Sequence, residues 1–230
     1  MIYRESFDSG PGGWVGRKRA LYIEDGAAVT RSPWHIDATH APPGAGYLSI
    51  LYCLFTRVNH RIPEAYLKPG GRKRFAEEHY PTDFTNARIK VRLRGELRNA
   101  HGAQMVLDIQ AVSGGRADNY ALTGQPLRIT PEWSEQTLTL APDPSQWTCL
   151  GARHDMRDQY GCGNLEGALG DVNLDIIFIL FPLDVRPAEP LHGDPHRLWA
   201  GREYPIDPAR IPEGWIAMDE IEIEFAEPRG

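Results

Sequence analysis

The chain has 230 residues, a formal charge of −6 and 41% hydrophobic residues, with a pI near 5.8. A dedicated nucleic-acid binder is usually strongly basic, so the balance argues against that class, and the length suits one domain over residues 1–230 that buries a core without staples. Nineteen Pro and 23 Gly favour short strands and many turns over long helices.

The start, Met1-Ile-Tyr-Arg-Glu-Ser-Phe-Asp, has no apolar leader, so the chain reads as soluble and by default cytoplasmic. Strands are expected at Ile2–Phe7, Ala20–Ile23, Ala28–Arg31 and Tyr47–Val58. The insert Pro63–Pro81 follows, with a short helix allowed over Arg72–His79. Ala87–Leu97 gives the clearest signal: Ile89, Val91 and Leu93 alternate with Arg88, Lys90, Arg92 and Arg94, the pattern of a half-buried strand. A turn at Asn99-Ala-His-Gly leads into Gln104–Val112, where Met105, Leu107, Ile109 and Ala111 share one face. Leu127–Thr130 and Gln136–Leu140, separated by Pro131-Glu-Trp-Ser, read as a hairpin. Val172–Phe181 turns apolar on both faces towards its end, which predicts burial on both sides. The last strand, Trp215–Phe225, sets Ile221, Ile223 and Phe225 against Glu220, Glu222 and Glu224. Gly151–Gly170 and Arg186–Pro212 are long connections, and connections of that length tend to be functional.

Three cysteines, Cys53, Cys149 and Cys162, are an odd number and argue against a disulfide framework, so the default is a reduced chain; Cys149 and Cys162 bracket a polar loop, and their pairing in an exported protein is the open alternative. No apolar run approaches the ~20 residues that span a bilayer. The fold class these patterns imply is all-β, an antiparallel β-sandwich with long loops.

Two motifs sharpen that class. Phe7, a Gly-rich turn and Trp14 open the chain, and Asp219-Glu-Ile-Glu-Ile closes it, with Trp133-Ser-Glu-Gln-Thr-Leu-Thr-Leu and Trp147 between. Together they resemble the galactose-binding-like jelly roll shared by many carbohydrate-binding modules. The resemblance implies a jelly-roll sandwich, and many such modules bind glycans. It also implies a structural Ca²⁺ where the first and last strands meet. Calcium takes six to eight oxygen ligands, for which Glu5, Glu24, Asp25 and Asp219 are suitable by residue type, Asp219 matching the family's last-strand aspartate. The plainer alternative makes Asp219 and its acidic neighbours a solvated strand edge.

Sugar recognition needs an apolar platform for the pyranose and planar polar groups for its hydroxyls. Arg92, Asp108 and Gln110 are expected on one exposed sheet face, with Asp175, Asn119 and Tyr120 nearby and Trp34 and Tyr160 rimming it from loops. The alternative is a solvated face carrying an Arg92–Asp108 ion pair. In His35-Ile-Asp-Ala-Thr-His40, the residues His35, Asp37 and His40 are metal-ligand types at a spacing that suits a hydrogen-bonded loop corner better; sugar contact is a third use. The loop Arg153–Tyr160, or a pairing of Asp108 with Asp175, supplies groups for proton transfer. No nucleophile elbow, phosphate loop or dinucleotide fingerprint is present.

The function expected is non-catalytic binding of an oligo- or polysaccharide, with no nucleic-acid or membrane partner. A glycan-active lyase or hydrolase on the same sandwich is the alternative, and a protein-docking module the third reading.

Overall fold

The computed structural model describes residues 1–16, 21–37, 47–57, 74–193 and 198–227. In chain order its strands begin with β1 (Ile2–Glu5), β2 (Trp14–Val15), β3 (Tyr22–Glu24), β4 (Ala27–Arg31), β5 (His35–Asp37) and β6 (Tyr47–Phe55). After the one-turn helix α1 (Arg74–Glu77) come β7 (Arg88–Arg98), β8 (Gln104–Ser113), β9 (Arg116–Ala121) and β10 (Ser134–Thr139). The remainder is β11 (Thr148–Cys149), β12 (Tyr160–Gly161), helix α2 (Leu165–Gly170), β13 (Asp175–Leu183) and β14 (Glu213–Glu224).

These strands form a β-sandwich. Sheet A runs β10-β7-β14-β4-β3, with β1 also on β14; sheet B runs β11-β9-β8-β13-β6-β2, with β12 on β9 and β5 on β6. Among these described strands every pairing is antiparallel except β12 with β9. The expected strands at Ala87–Leu97, Gln104–Val112, Val172–Phe181 and Trp215–Phe225 are present within a few residues. The expected hairpin of Leu127–Thr130 with Gln136–Leu140 is not formed. Leu127 makes only a bridge to Met105, and β10 pairs with β7 instead. The Gln136 side chain takes the place of that ladder, accepting from Arg128 N and donating to Arg128 O, both at 2.8 Å.

The main core lies between the sheets. Ile89, Val91 and Leu93 of β7 and Ile216, Met218, Ile221 and Ile223 of β14 meet Met105, Leu107 and Ile109 of β8 and Ile176, Phe178 and Leu180 of β13. Two side chains, Tyr52 and Trp14, carry hydrogen bonds through its interior. The Tyr52 hydroxyl, carried by sheet B, lies 2.7 Å from Ile216 O and 3.1 Å from Ala28 O of sheet A. Trp14 Nε1 donates to Tyr3 Oη at 3.0 Å. Burial without partners would cost each of these polar groups more than the bond returns, so their pairing is a condition of their being inside.

A second buried apolar cluster lies on the outer face of sheet B. Leu48, Ile50 and Cys53 of β6, Val106 of β8, Ala121 of β9 and Ile177, Ile179 and Phe181 of β13 form it with Leu150. Sheet B is therefore buried on both faces, as the apolar second half of β13 predicts. The segment after β13 folds back on itself through Asp207 N to Arg186 O and Ala188 N to Pro205 O. It is tied to β6 by the Tyr47–Tyr204 hydroxyl pair, 2.9 Å apart.

Local chemistry sets several corners. Asp25-Gly26 joins β3 to β4 with both residues at positive φ, +49° and +76°, the two-residue turn that matches strand twist. A register shift in β14 between Met218 and Glu220 is a β-bulge centred on Asp219, and it reverses which residues face inwards. Cys149 and Cys162 are disulfide-bonded, with Cα atoms 5.9 Å apart. This corrects the expectation of a fully reduced chain, the pair being brought together because β11 and β12 dock on the same edge of β9.

At Gly214 the backbone of β14 lies close against β7: φ is +141° and an added Cβ would lie 1.9 Å from Glu96 O. Gly214→Ala is expected to lower the unfolding free energy by more than ~1 kcal/mol. Gly170→Ala, where the methyl meets nothing within 4 Å, should leave it nearly unchanged; denaturant midpoints of the two variants check the contrast.

Candidate functional site

The groove expected on one exposed sheet face is not formed. Arg92 lies on β7 in sheet A, whereas Asp108 and Gln110 lie on β8 in sheet B. The Asn99–Gly102 turn, with Asn99, His101 and Gly102 at positive φ, carries the chain from one sheet to the other rather than closing a hairpin. The Arg92–Asp108 pair is excluded for the same reason. Alternation does point Asp108 and Gln110 away from the main core, but the second apolar cluster lies there. Asp108 is 1% exposed and Gln110 3%.

Other expected rim residues are structural. Trp34 is buried in the main core and donates from Nε1 to Thr30 Oγ1 at 2.9 Å. Tyr120 packs into the same core and its hydroxyl donates to Gly163 O; burial first, then the Asp118 charge, raises its pKa. Tyr160 is half-buried on β12 beside Ala117. His35 and Asp37 share a face of β5, opposite Ile50 and Leu48, while His40 lies outside the described residues. Arg153, from the loop considered for proton transfer, is buried; its side chain donates to Leu198 O at 2.9 Å and to Asp155 at 3.1 Å and stacks 4.7 Å from Trp199. It fastens the loop to the segment after β13.

On the face of that cluster the polar residues gather. Asp175 stands opposite Gln110, and Gln110 opposite Asn119. Asn119 Oδ1 has no hydrogen-bond partner among the described residues. Desolvation first, then the Asp175 charge, push the Asp108 carboxyl well above the ordinary carboxylate range; the Gln110 side-chain amide opposes them, and Asp37 adds a smaller push upwards. Cys53 Sγ lies 3.7 Å from Asp175 Oδ2. These acids feel one another's charge, yet among the described residues no three His, Cys, Asp or Glu side chains converge to hold a metal ion.

The calcium quartet is dispersed. Glu5 shares the inward face of β1 with Tyr3, and it binds Arg74 at 2.9 Å and Phe7 N at 3.2 Å. Glu24 chelates Arg31. Asp25 occupies the β3–β4 turn, and Asp219 pairs with Arg92 on the outer face of sheet A. The four do not form one ligand set, because three are held by separate guanidiniums and Glu5 faces away from Asp219.

The open face is that of sheet A. Its core side is packed, but its outer side carries only a small apolar patch of Ala27, Val29 and Ala217, against which Trp133 and Trp215 lean half-buried. Arg92 stacks 4.9 Å from the Trp133 ring centroid, and Arg94 lies 4.7 Å from Trp133 and 5.6 Å from Trp215. Around them the charges are paired: Arg92 with Asp219, Lys90 with Glu135 at 2.8 Å, and Arg4 with Glu222. Tyr22 and Arg31 continue the aromatic–guanidinium pattern on the β3 side at 5.8 Å. Of the expected site residues, this face retains Arg92 and places Asp219 beside it. The sequence reading omitted Trp133, Trp215 and Arg94 as ligand groups. The Arg94 alternation was visible, whereas the bulge at Asp219 hid the parity of Trp215.

No family model matches the chain, and no curated protein matches it. Among solved structures it is similar to the L4b domain of human laminin alpha-2, at 9% identity and a TM-score of 0.43 over 99% of this chain and 98% of that one. A likeness that low says nothing about the ligand.

The buried acid cluster sets a pH dependence. Because the folded pKa of Asp108 is raised, its contribution favours the native state below about pH 4, the ordinary carboxylate value, and is lost as pH rises through the folded pKa. Asp108→Asn, which removes the buried charge but keeps the shape, should raise the unfolding free energy at pH 7 by about 1–3 kcal/mol. It should also flatten that part of the stability–pH curve. A variant less stable than wild type at every pH would show instead that the carboxylate is ionised and well partnered.

Proposed function

We propose that this β-sandwich is a non-catalytic carbohydrate-binding module of the galactose-binding-like type, and that its glycan site is the outer face of sheet A around Trp133 and Trp215. One observation carries the reading: two half-buried indoles and two guanidiniums lie side by side on a sheet face that no second layer covers among the described residues. Indole rings offer flat apolar surface to the C–H face of a pyranose, and guanidiniums donate directionally to hydroxyl and ring oxygens. Both sit on long central strands or beside them, so their spacing is set by the ladder and little ordering is required on binding. Asp219, held by Arg92, adds an acceptor within the same patch.

Catalysis receives less support. Among the described residues, Asp108 is the carboxyl pushed well above the ordinary range with other carboxylates in reach, and it is buried. A substrate has to touch its general acid within hydrogen-bond distance.

A glycan array followed by affinity electrophoresis on any polymer retained tests the reading. Wild-type protein should be retarded without releasing product. Trp133→Ala and Trp215→Ala should each weaken binding by roughly 30-fold, the loss expected of an anchoring aromatic worth about 2 kcal/mol, with melting temperatures close to wild type. Released oligosaccharide would point to the enzyme, and silence on every glycan to a protein-docking role.

A further inference from the structure

The charges of the sheet A face are matched almost row by row. Arg88 stands opposite Glu224, Lys90 opposite Glu222, and Arg92 opposite Glu220. Arg94 breaks the series, since its neighbour on β14 is Ala217. Towards β10 the ladder has already ended at Leu93–Ser134, and the next side chain there is the Trp133 indole. No carboxylate and no hydrogen-bond acceptor among the described residues engages the Arg94 guanidinium. Its Nε is shut away from water without a partner, while its terminal nitrogens are not so enclosed. The guanidinium is thus clamped by two rings, at 4.7 and 5.6 Å, rather than by a counter-ion.

This arrangement is unusual for a surface arginine in an acidic protein of net charge −6, where acceptors are plentiful. Stacking fixes the plane of the fork and removes the rotamer freedom that binding would otherwise cost. A planar fork with unused donors is complementary to a carboxylate or a sulfate ester, which accept two parallel N–H bonds. We infer that Arg94 is the anion-recognition residue of this face and that its ligand is an acidic saccharide, bearing a uronate carboxylate or a sulfate ester beside the sugar ring stacked at Trp133 and Trp215. The inference rests on the carbohydrate-binding reading above. General attraction does not account for it, because the protein as a whole repels polyanions. Selectivity comes from one oriented cation.

Affinity electrophoresis separates the cases with four polymers: polygalacturonate, the same polymer fully methyl-esterified, a sulfated galactan and its neutral galactan backbone. At least one charged polymer should retard the wild-type protein while its uncharged partner does not, and which of the two does so identifies the anion. Arg94→Gln should cut that retention at least tenfold. Arg94→Lys should do nearly the same, because it keeps the charge but loses the stacked fork. Arg88→Gln, which removes the same charge from an exposed position on the same strand, should leave it unchanged. Melting temperatures of all three variants should stay near wild type, since Arg94 forms no ion pair to lose. Equal retention by charged and neutral polymers, or retention by neutral ones alone, overturns this inference and leaves the carbohydrate reading standing. Retention that survives Arg94→Gln also overturns it. Binding to none of the four, nor to any glycan on the array, overturns the carbohydrate reading itself.

Discussion

Sheet B is buried on both faces, and the distribution of chemistry over the molecule follows from that constraint. β13 can send Ile176, Phe178 and Leu180 into the main core and Ile177, Ile179 and Phe181 to the other side only if something apolar closes over it. Once that closure exists, any polar residue at an outward position of β8, β9 or β13 is trapped beneath it. Asp108, Gln110, Asn119 and Asp175 are in that position. They share an outward parity with residues that would be solvated on an open sheet face, and here they are buried with the outer apolar cluster. Over the β7–β14 pair of sheet A no such cover stands among the described residues, and Lys90 and Arg92 there remain partly exposed.

The two sheets are joined by more than apolar contact. Tyr52 reaches across the core to sheet A carbonyls, and an oxygen acceptor buried at that depth specifies position as well as contributing stability. Trp14 and Tyr3 do the same near the β1 edge. On the outer side of sheet A the ion pairs are exposed, and exposed pairs contribute little, about 0–1 kcal/mol each. Their effect is to leave the face nearly neutral apart from Arg94, which is what gives one guanidinium its distinctness.

Much of the architecture was legible in the sequence, because period-two alternation survives on β7, β8, β13 and the second half of β14. The sandwich class, the apolar second face of β13 and the inward set Ile89, Val91, Leu93 all follow from it. What alternation cannot convey is sheet membership or cover. Arg92 and Asp108 both point outwards, yet from different sheets, and nothing in either strand says so. β9 was hidden by its composition, Arg-Ala-Asp-Asn-Tyr-Ala, although Gly114-Gly115, both at positive φ, is a two-residue turn signal that predicts a returning strand. Asp25 was read as a ligand type where its place in an Asp-Gly turn explains it. On β14, counting back from Ile221 puts Ala217 and Trp215 inside; the bulge at Asp219 adds one residue and puts Ile216 and Met218 there instead. A ligand face built from Trp215 was beyond reach of the pattern for that reason alone.

The disulfide joins two short strands that sit end to end on one edge of β9. Cys149 lies at the end of β11, opposite Tyr120, and Cys162 follows Gly161, opposite Asp118. Leu150 N to Asn119 O and Ala117 N to Gln159 O extend the same edge from either side. The loop between the cysteines is therefore closed at its base by sulfur and by backbone together. A protease that nicks it leaves two new ends already fastened to β9, so the cut chain stays one molecule and migrates as one band until a reductant is added. Arg153, which this loop carries to Leu198 O and the Trp199 ring, therefore stays within reach of its partners after such a cut.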